Sequence, residues 1–286
     1  MITITGATGN VGRSLVGILA AAGEAVTATS RGITEADVPR GVRHRQADLT
    51  DAETLRPLLD GADALFLQNG GPSAHLIDPH RILDVAKAGG VERVVLLSSQ
   101  GVATRPESPS HGQVGRSIEE AVEQSGLNWT ILRPGGFHSN AYAWAEPVRA
   151  YRTVPAPFGD VGLPTVDPAD IAEVAAVILR QGGAGADGHA GRTYELTGPS
   201  LVTPRRQTQA IAEALGEPVR FEELTREEAA ARFLRFMPEP VVETTLSILG
   251  EPTPAEQRVS PDIERVLDRA PRDFADWAAR NAAAFR

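Results

Sequence analysis

The sequence predicts an α/β protein: a doubly wound parallel sheet with helices on both faces and a smaller C-terminal α/β lobe. Three observations carry this. From the first residue to Arg133, short runs rich in Ile, Val and Leu alternate with segments whose apolar residues fall three and four apart. Runs such as Val94-Val95-Leu96-Leu97 are continuously apolar, the mark of strands covered on both faces. Gly6, Gly9 and Gly12 stand three residues apart where the first strand passes into the first helix. Strands and helices that alternate along the chain build a parallel sheet flanked by its crossovers.

Met1–Ile4 and Ala25–Ser30 are β-branched runs that read as strands. Between them Val11, Leu15, Ile18, Leu19 and Ala22 mark one helical face, and Gly23 stops it. The alternation continues with a strand over Val42–Asp48, a helix over Glu53–Leu59 and a buried strand over Ala64–Gln68. Next come a helix at Pro79–Ala88, a strand at Arg93–Ser98, a helix at Ser117–Ser125 and a strand at Trp129–Arg133. Then the pattern changes. "PGGFHSNAYAW" and "RTVPAPFGDVGLPT" are rich in Gly, Pro and aromatic residues and read as loops or short helices. "DPADIAEVAAVIL" reads as a capped helix, "RTYEL" as a strand, "TPRRQTQAIAEALG" as a helix with a Thr-Pro start, and "RDFADWAARNAAAF" as a terminal helix. The expected division is a nucleotide-binding domain over 1–135, with 165–182 packing back on it. The smaller substrate lobe would comprise 136–164 and 183–286. No repeat or long linker separates them.

Composition narrows the function classes. A chain of 286 residues with 42% hydrophobic and 23% charged residues can bury a large core. A net charge of -9 argues against a nucleic-acid partner. No apolar run is long enough to span a membrane, and the start lacks a basic leader, so the expected location is the cytoplasm. Without cysteine there is no disulfide and no thiolate metal site, and no metal is expected. The expected partner is a small-molecule substrate. The oligomeric state stays open between monomer and homodimer.

The glycine spacing points to a dinucleotide. One glycine permits the tight turn, one lets a pyrophosphate reach the backbone, and one lets helix and strand pack closely. The helix start then offers free N–H groups and a positive dipole end. This makes Gly6, Ala7, Thr8, Gly9, Asn10, Val11, Gly12 and Arg13 candidate cofactor contacts. The second strand ends in Ser30-Arg31 with no acid to hold a ribose hydroxyl. A guanidinium there suits a 2′-phosphate, so NADP(H) is expected over NAD(H), unless Arg31 is simply solvated. Asp48, followed by Leu49, stands where a carboxylate could accept from adenine; helix capping is the competing reading. Gln68-Asn69-Gly70 and Ser98-Ser99 follow the fourth and fifth strands, at the carboxyl ends where ligands of such sheets bind.

Taken in order, "TGATGNVGRSLV", "ADLTD", "VVLLSSQG", "SGLNWTILRPGGFHSN", "VDPADIAEVAAVIL", "YELTGP" and "PRDFADWAARNAAAF" resemble the NmrA-like group of atypical short-chain dehydrogenases/reductases. The resemblance runs nearly end to end. It implies a Rossmann domain, a small substrate lobe and NAD(P) in the cleft between them. It also implies that Ser98-Ser99 and Pro134, Gly135 and Phe137 approach the nicotinamide. Gln100, His138, Asn140, Tyr142, Trp144 and Phe233 would then line the substrate pocket, although Trp144 and Phe236 read as readily as core residues.

One departure is informative. Alcohol–ketone dehydrogenases of this kind use Tyr-x-x-x-Lys, yet Tyr142, Tyr151 and Tyr194 are followed four residues on by Glu146, Pro155 and Gly198. Lys87 is the only lysine and lies too early. His111 stands near the tyrosine's place and Gly115 at the lysine's; His111 is a candidate acid/base or a polar loop residue. Glu119 and Glu120 are expected to be solvated. A site without a strong acid suits acceptors that delocalise charge. The expected function is NADPH-dependent hydride transfer to a quinone-like or conjugated carbonyl compound. The alternatives are a non-catalytic NADP(H)-sensing regulatory protein and a specialised-metabolism reductase of a polyketide-like substrate.

Overall fold

Ile2–Thr5 (β1) is buried along its whole length and begins a sheet of seven parallel strands. The others are Val26–Ser30 (β2), Arg43–Gln46 (β3), Ala64–Gln68 (β4), Arg93–Leu97 (β5), Asn128–Pro134 (β6) and Arg192–Leu196, which follows Thr153–Pro157 (β7) and is β8. The computed structural model describes residues 1–68, 74–181 and 188–286. Strand order is β3-β2-β1-β4-β5-β6-β8. The chain winds outward from β1 to β3, then returns to lay β4 along the free side of β1. This reversal opens a crevice over the carboxyl ends of β1 and β4.

The apolar runs are continuous because alternate residues serve two cores. Ile2, Ile4, Phe66, Val95 and Leu97 face helices Asn10–Ala21 and Pro168–Gln181. Leu65, Leu67, Val94, Leu96 and Ile131 face helices Pro79–Ala88 and Val114–Gln124. Helix Pro168–Gln181 packs along Asn10–Ala21, so one face of the sheet is closed by a segment that follows β7 in the chain. A third core joins Ala145, Val148, Val154, Ile211, Trp277 and Phe285 in the C-terminal part. No helix among the described residues is long and apolar enough to cross a membrane.

Several elements differ from expectation. Arg192–Leu196, expected in the smaller lobe, is the seventh strand of the large sheet, because it covers the edge that β6 would otherwise expose. Thr153–Pro157, expected as loop, pairs in parallel with Arg220–Leu224 (β9) in a separate two-stranded sheet. Pro155 and Pro157 hid it; a two-stranded sheet has only edges, where proline is tolerated. The strand expected over Val42–Asp48 shortens to β3, an edge whose four residues are all exposed. The helix expected from Ser117 starts at Val114, after a widened turn over Pro109–Gln113. The terminal helix ends at Arg280, and Ala282–Phe285 continues as a 3-10 turn.

Buried charges hold the C-terminal segment to helix Pro168–Gln181. Asp170 is fully buried and accepts from Arg269 Nη2 and from the backbone N–H of Arg272, both at 2.7 Å, and from the Arg272 guanidinium. Glu173, one turn on, accepts from Arg272 Nη2 at 2.6 Å and also pairs with Arg269. His138 belongs to the same interior. Expected in the substrate pocket, it is instead 1% exposed, with its ring edge-on to Phe274 at 5.3 Å and its Nδ1 without a partner. Its backbone N–H donates to Val166 O at 2.8 Å, and its ring lies edge-on to Phe274 and Trp277. Burial holds His138 below its ordinary pKa, against the pull of Asp167.

Two outcomes follow. Removing one partner of a buried ion pair destabilises by about 3–5 kcal/mol. The two arginines are about a third exposed and keep Glu173, so Asp170→Ala is expected at the lower end, about 3 kcal/mol in urea denaturation. The second concerns pH. With His138 lowered, the native state binds fewer protons than the unfolded chain, so this stability is present above about pH 6.5 and is lost as the pH falls. His111 and His189 are lowered in the same direction, both chiefly by burial. Melting temperatures between about pH 8 and pH 5 should fall with acid. His138→Phe, which keeps a ring against Phe274 and Trp277, should flatten that fall.

Candidate functional site

The turn after β1 is bare backbone. Gly6 has φ +62°, and a Cβ there would lie 2.9 Å from Gln68 Oε1. A Cβ on Gly12 would stand 2.2 Å from the Gly6 carbonyl oxygen, so the helix reaches the turn only because the residue is glycine. Gly9 N–H donates to Gly6 O and Ala7 N–H to Thr29 O, each at 3.0 Å, which fixes the loop. Gly9 caps helix Asn10–Ala21 without any side-chain cap, and the first turn holds no acid. The first N–H groups and the positive dipole end are thus open to an anion. Val11 is buried and anchors this turn. Gln68 Oε1 is buried without a partner against the same loop. Open donors and absent side chains fit a nucleotide pyrophosphate, whose oxygens only accept.

At the end of β2, Thr8 Oγ1 donates to Ser30 Oγ at 3.2 Å, and Arg13 Nη2 reaches Thr8 O at 3.4 Å. Arg13 and Arg31 are both exposed, so two guanidinium groups flank one short polar run. Asp48 Oδ1 accepts from the Thr50 N–H and hydroxyl, both at 3.0 Å. These bonds hold its carboxyl below the ordinary value, with Arg31 adding its charge. Asp51, not Asp48, caps the turn Ala52–Leu55, its Oδ1 accepting from Glu53 N–H at 3.2 Å. Leu49 packs half-buried on the core beneath. Asn69 and Gly70 lie outside the described residues.

The ends of β5 and β6 meet. Ser98 N–H donates to Leu132 O at 2.8 Å, and Gln100 N–H to Pro134 O at 2.9 Å. A Cβ on Gly135 would lie 3.3 Å from Gln100 Oε1, so these two residues share a wall. Phe137 is half-buried and bridges to Val166. Ser99 is exposed, and its Oγ accepts from Gly101 N–H at 3.1 Å. His111 packs against Gly101, where an added Cβ would meet His111 Cβ at 3.1 Å and Ser99 Oγ at 3.4 Å. Its Nδ1 shares a hydrogen with Ser110 Oγ at 2.8 Å. Burial first and Arg105 second lower its pKa, against Glu256. Any side chain at Gly115 would meet Val102 Cγ2 at 2.5 Å.

Glu119 corrects the sequence reading. It is 1% exposed, not solvated, accepting from Ser98 Oγ and bound by Arg133 through two N–H groups. Glu120 is exposed. A signal existed: Glu119 follows Gly115 by four residues and precedes Val122 by three, on the helix's apolar stripe.

The expected pocket residues do not converge. Tyr142 borders a cavity of about 330 Å³ whose other walls include Gly9, Asn10, Arg13, Ser139 and Arg280. Its hydroxyl donates to Asn281 Oδ1 at 2.5 Å. Asn140 is exposed beside it. Trp144 packs half-buried on the third core, and Phe233 joins Leu224, Val242 and Leu246 in a separate small cluster. Both are held there by apolar neighbours that lie far apart in sequence. Ser139 accepts from Asn10 Nδ2 at 3.0 Å and ties the glycine loop to the C-terminal part.

A family model for NAD(P)H-binding proteins matches residues 6–182. The chain is 37% identical to the (4-alkanoyl-5-oxo-2,5-dihydrofuran-3-yl)methyl phosphate reductase of Streptomyces griseus over 286 residues, covering 100% of this chain and 99% of the relative. It is 30% identical to the NAD(P)H azoreductase of Xenophilus azovorans, over 100% and 99% of the two chains. The Escherichia coli NADPH-dependent quinone oxidoreductase QOR2, solved with NADPH, has the same fold. Its TM-score is 0.78 at 24% identity, over 98% of this chain and 99% of that one. The glycine turn, the parallel sheet and these matches lead to one conclusion: the chain belongs to the NAD(P)H-binding family, as an oxidoreductase.

Proposed function

We propose that the protein is an NADPH-dependent reductase that transfers hydride to a quinone-like or conjugated carbonyl small molecule. The observation that carries this reading is Gly115, where any side chain would meet Val102 Cγ2 at 2.5 Å. At the position where alcohol–ketone dehydrogenases of this kind keep their lysine, this chain has glycine and therefore no ammonium. Reduction of a simple ketone develops an alkoxide and needs a positioned acid. A conjugated acceptor spreads the incoming charge, and water can supply the proton. The protein's part is then to bind, align and exclude.

Each part has its residues in this reading. The turn Gly6–Gly12 and the start of helix Asn10–Ala21 hold the pyrophosphate. Arg13 and Arg31 hold a 2′-phosphate, which favours NADP(H). Ser98, Ser99, Gly135 and Phe137 border the nicotinamide, which supplies hydride when bound. His111, whose pKa burial lowers, stands beside Ser99 and assists proton delivery without being indispensable. The relatives support the acceptor class: one name describes an unsaturated acyl lactone phosphate and the other an azo reaction, and both groups are conjugated.

Three measurements test this. NADPH consumption should proceed with quinones or enones and not with saturated ketones; the reverse pattern would overturn the reading. Arg31→Ala should weaken NADPH by about tenfold or more, with little change for NADH; equal losses would refute the phosphate role. His111→Ala should lower kcat by less than about tenfold, since water replaces it. Complete inactivity of that variant at every pH would make the histidine the essential acid.

A further inference from the structure

Ser98 and Ser99 are adjacent, yet their hydroxyl groups have opposite polarity. Ser99 Oγ accepts from Gly101 N–H, and its hydrogen goes to no described residue. Ser98 has its hydrogen committed: its Oγ donates to Glu119 Oε1 at 2.5 Å. Arg133 meets the same carboxylate through Nε to Oε1 at 2.9 Å and Nη2 to Oε2 at 2.5 Å. A carboxylate forked by a guanidinium has acceptors only, so the serine is the donor in this contact. Glu119 is 1% exposed, which leaves it no water to exchange for Ser98. With that hydrogen committed, Ser98 Oγ keeps only a lone pair for any further partner, which must bring an N–H or O–H. Ser98 follows β5, in the half of the sheet beyond the glycine turn, where the second nucleotide of a dinucleotide lies. The pyridine ring carries one strong donor, its carboxamide N–H.

We propose that Ser98 Oγ accepts a hydrogen bond from the nicotinamide carboxamide, and that Glu119 and Arg133 are positioning residues that fix the direction of that bond. The inference rests on the cleft being an NADPH site. Its consequence is selectivity for the carboxamide itself. The acetylpyridine analogue of NADPH carries a methyl ketone there and has no N–H to give.

Calorimetric titration of the full-length protein with both nucleotides tests this. The wild type should bind NADPH about five- to tenfold more tightly than the analogue, the worth of one hydrogen bond. Ser98→Ala should lose that preference by weakening NADPH alone. Glu119→Gln, whose amide can turn an N–H toward Ser98 and free the serine's hydrogen, should reduce it as well. Thermal melts establish that each variant folds, and the wild-type comparison stands without them. Equal wild-type affinities, or an unchanged preference in Ser98→Ala, overturn the inference while leaving the cofactor reading intact. Binding of neither nucleotide overturns the cofactor reading and this inference with it.

Discussion

The approach of Gly12 to the Gly6 carbonyl, with no room for a Cβ between them, sets where the first helix begins. A larger residue would push the helix away from the end of β1 and move its open N–H groups out of the crevice. That crevice exists because the chain reverses direction between β1 and β4. Helix start and sheet reversal coincide, so the positive dipole end of helix Asn10–Ala21 meets the crevice where an open sheet leaves room for a ligand.

Around this contact, charge is used inside the protein to fix position. Asp167 pairs with Arg280, Asp170 and Glu173 with Arg269 and Arg272, Glu119 with Arg133, and Glu256 with Arg105. All but Glu119–Arg133 join segments distant in sequence, and in each the carboxylate is the more buried partner or equally so. Buried pairs add little net stability over apolar packing, but one arrangement satisfies them and others leave a charge unpaired. Two of these groups, at Asp167 and at Asp170 with Glu173, hold the C-terminal segment against the helix that closes one face of the sheet or the residue just before it. Glu256 ties the C-terminal part to Arg105, after Gly101–Thr104, and Glu119 meets Arg133 and Ser98. Asn10 and Ser139 add a neutral link from the glycine turn to the same C-terminal part.

Much of this was legible from order along the chain. Apolar runs alternating with helical faces specify parallel strands, since a crossover helix is the short way back to a parallel neighbour. The glycine turn was legible because its spacing reports a local backbone requirement. β7 was not, because Pro155 and Pro157 argue against a strand until a partner is known, and that partner, β9, lies over sixty residues on. Arg192–Leu196 was legible as a strand but not as the seventh member of the large sheet, since sheet membership is a pairing between remote segments.

The sequence by itself determined the sheet, its crossovers, the glycine turn and the lack of any Tyr-x-x-x-Lys spacing, all properties of neighbouring residues or of residue inventory. Tertiary structure alone decided which side chains meet. It buried His138 among Phe274 and Trp277, moved Tyr142 beside the glycine turn, and took Glu119 out of solvent to meet Arg133 and Ser98. The physical reason is burial: a charged or polar residue becomes structural only when remote segments exclude water from it and supply its partner, and sequence spacing does not encode that encounter.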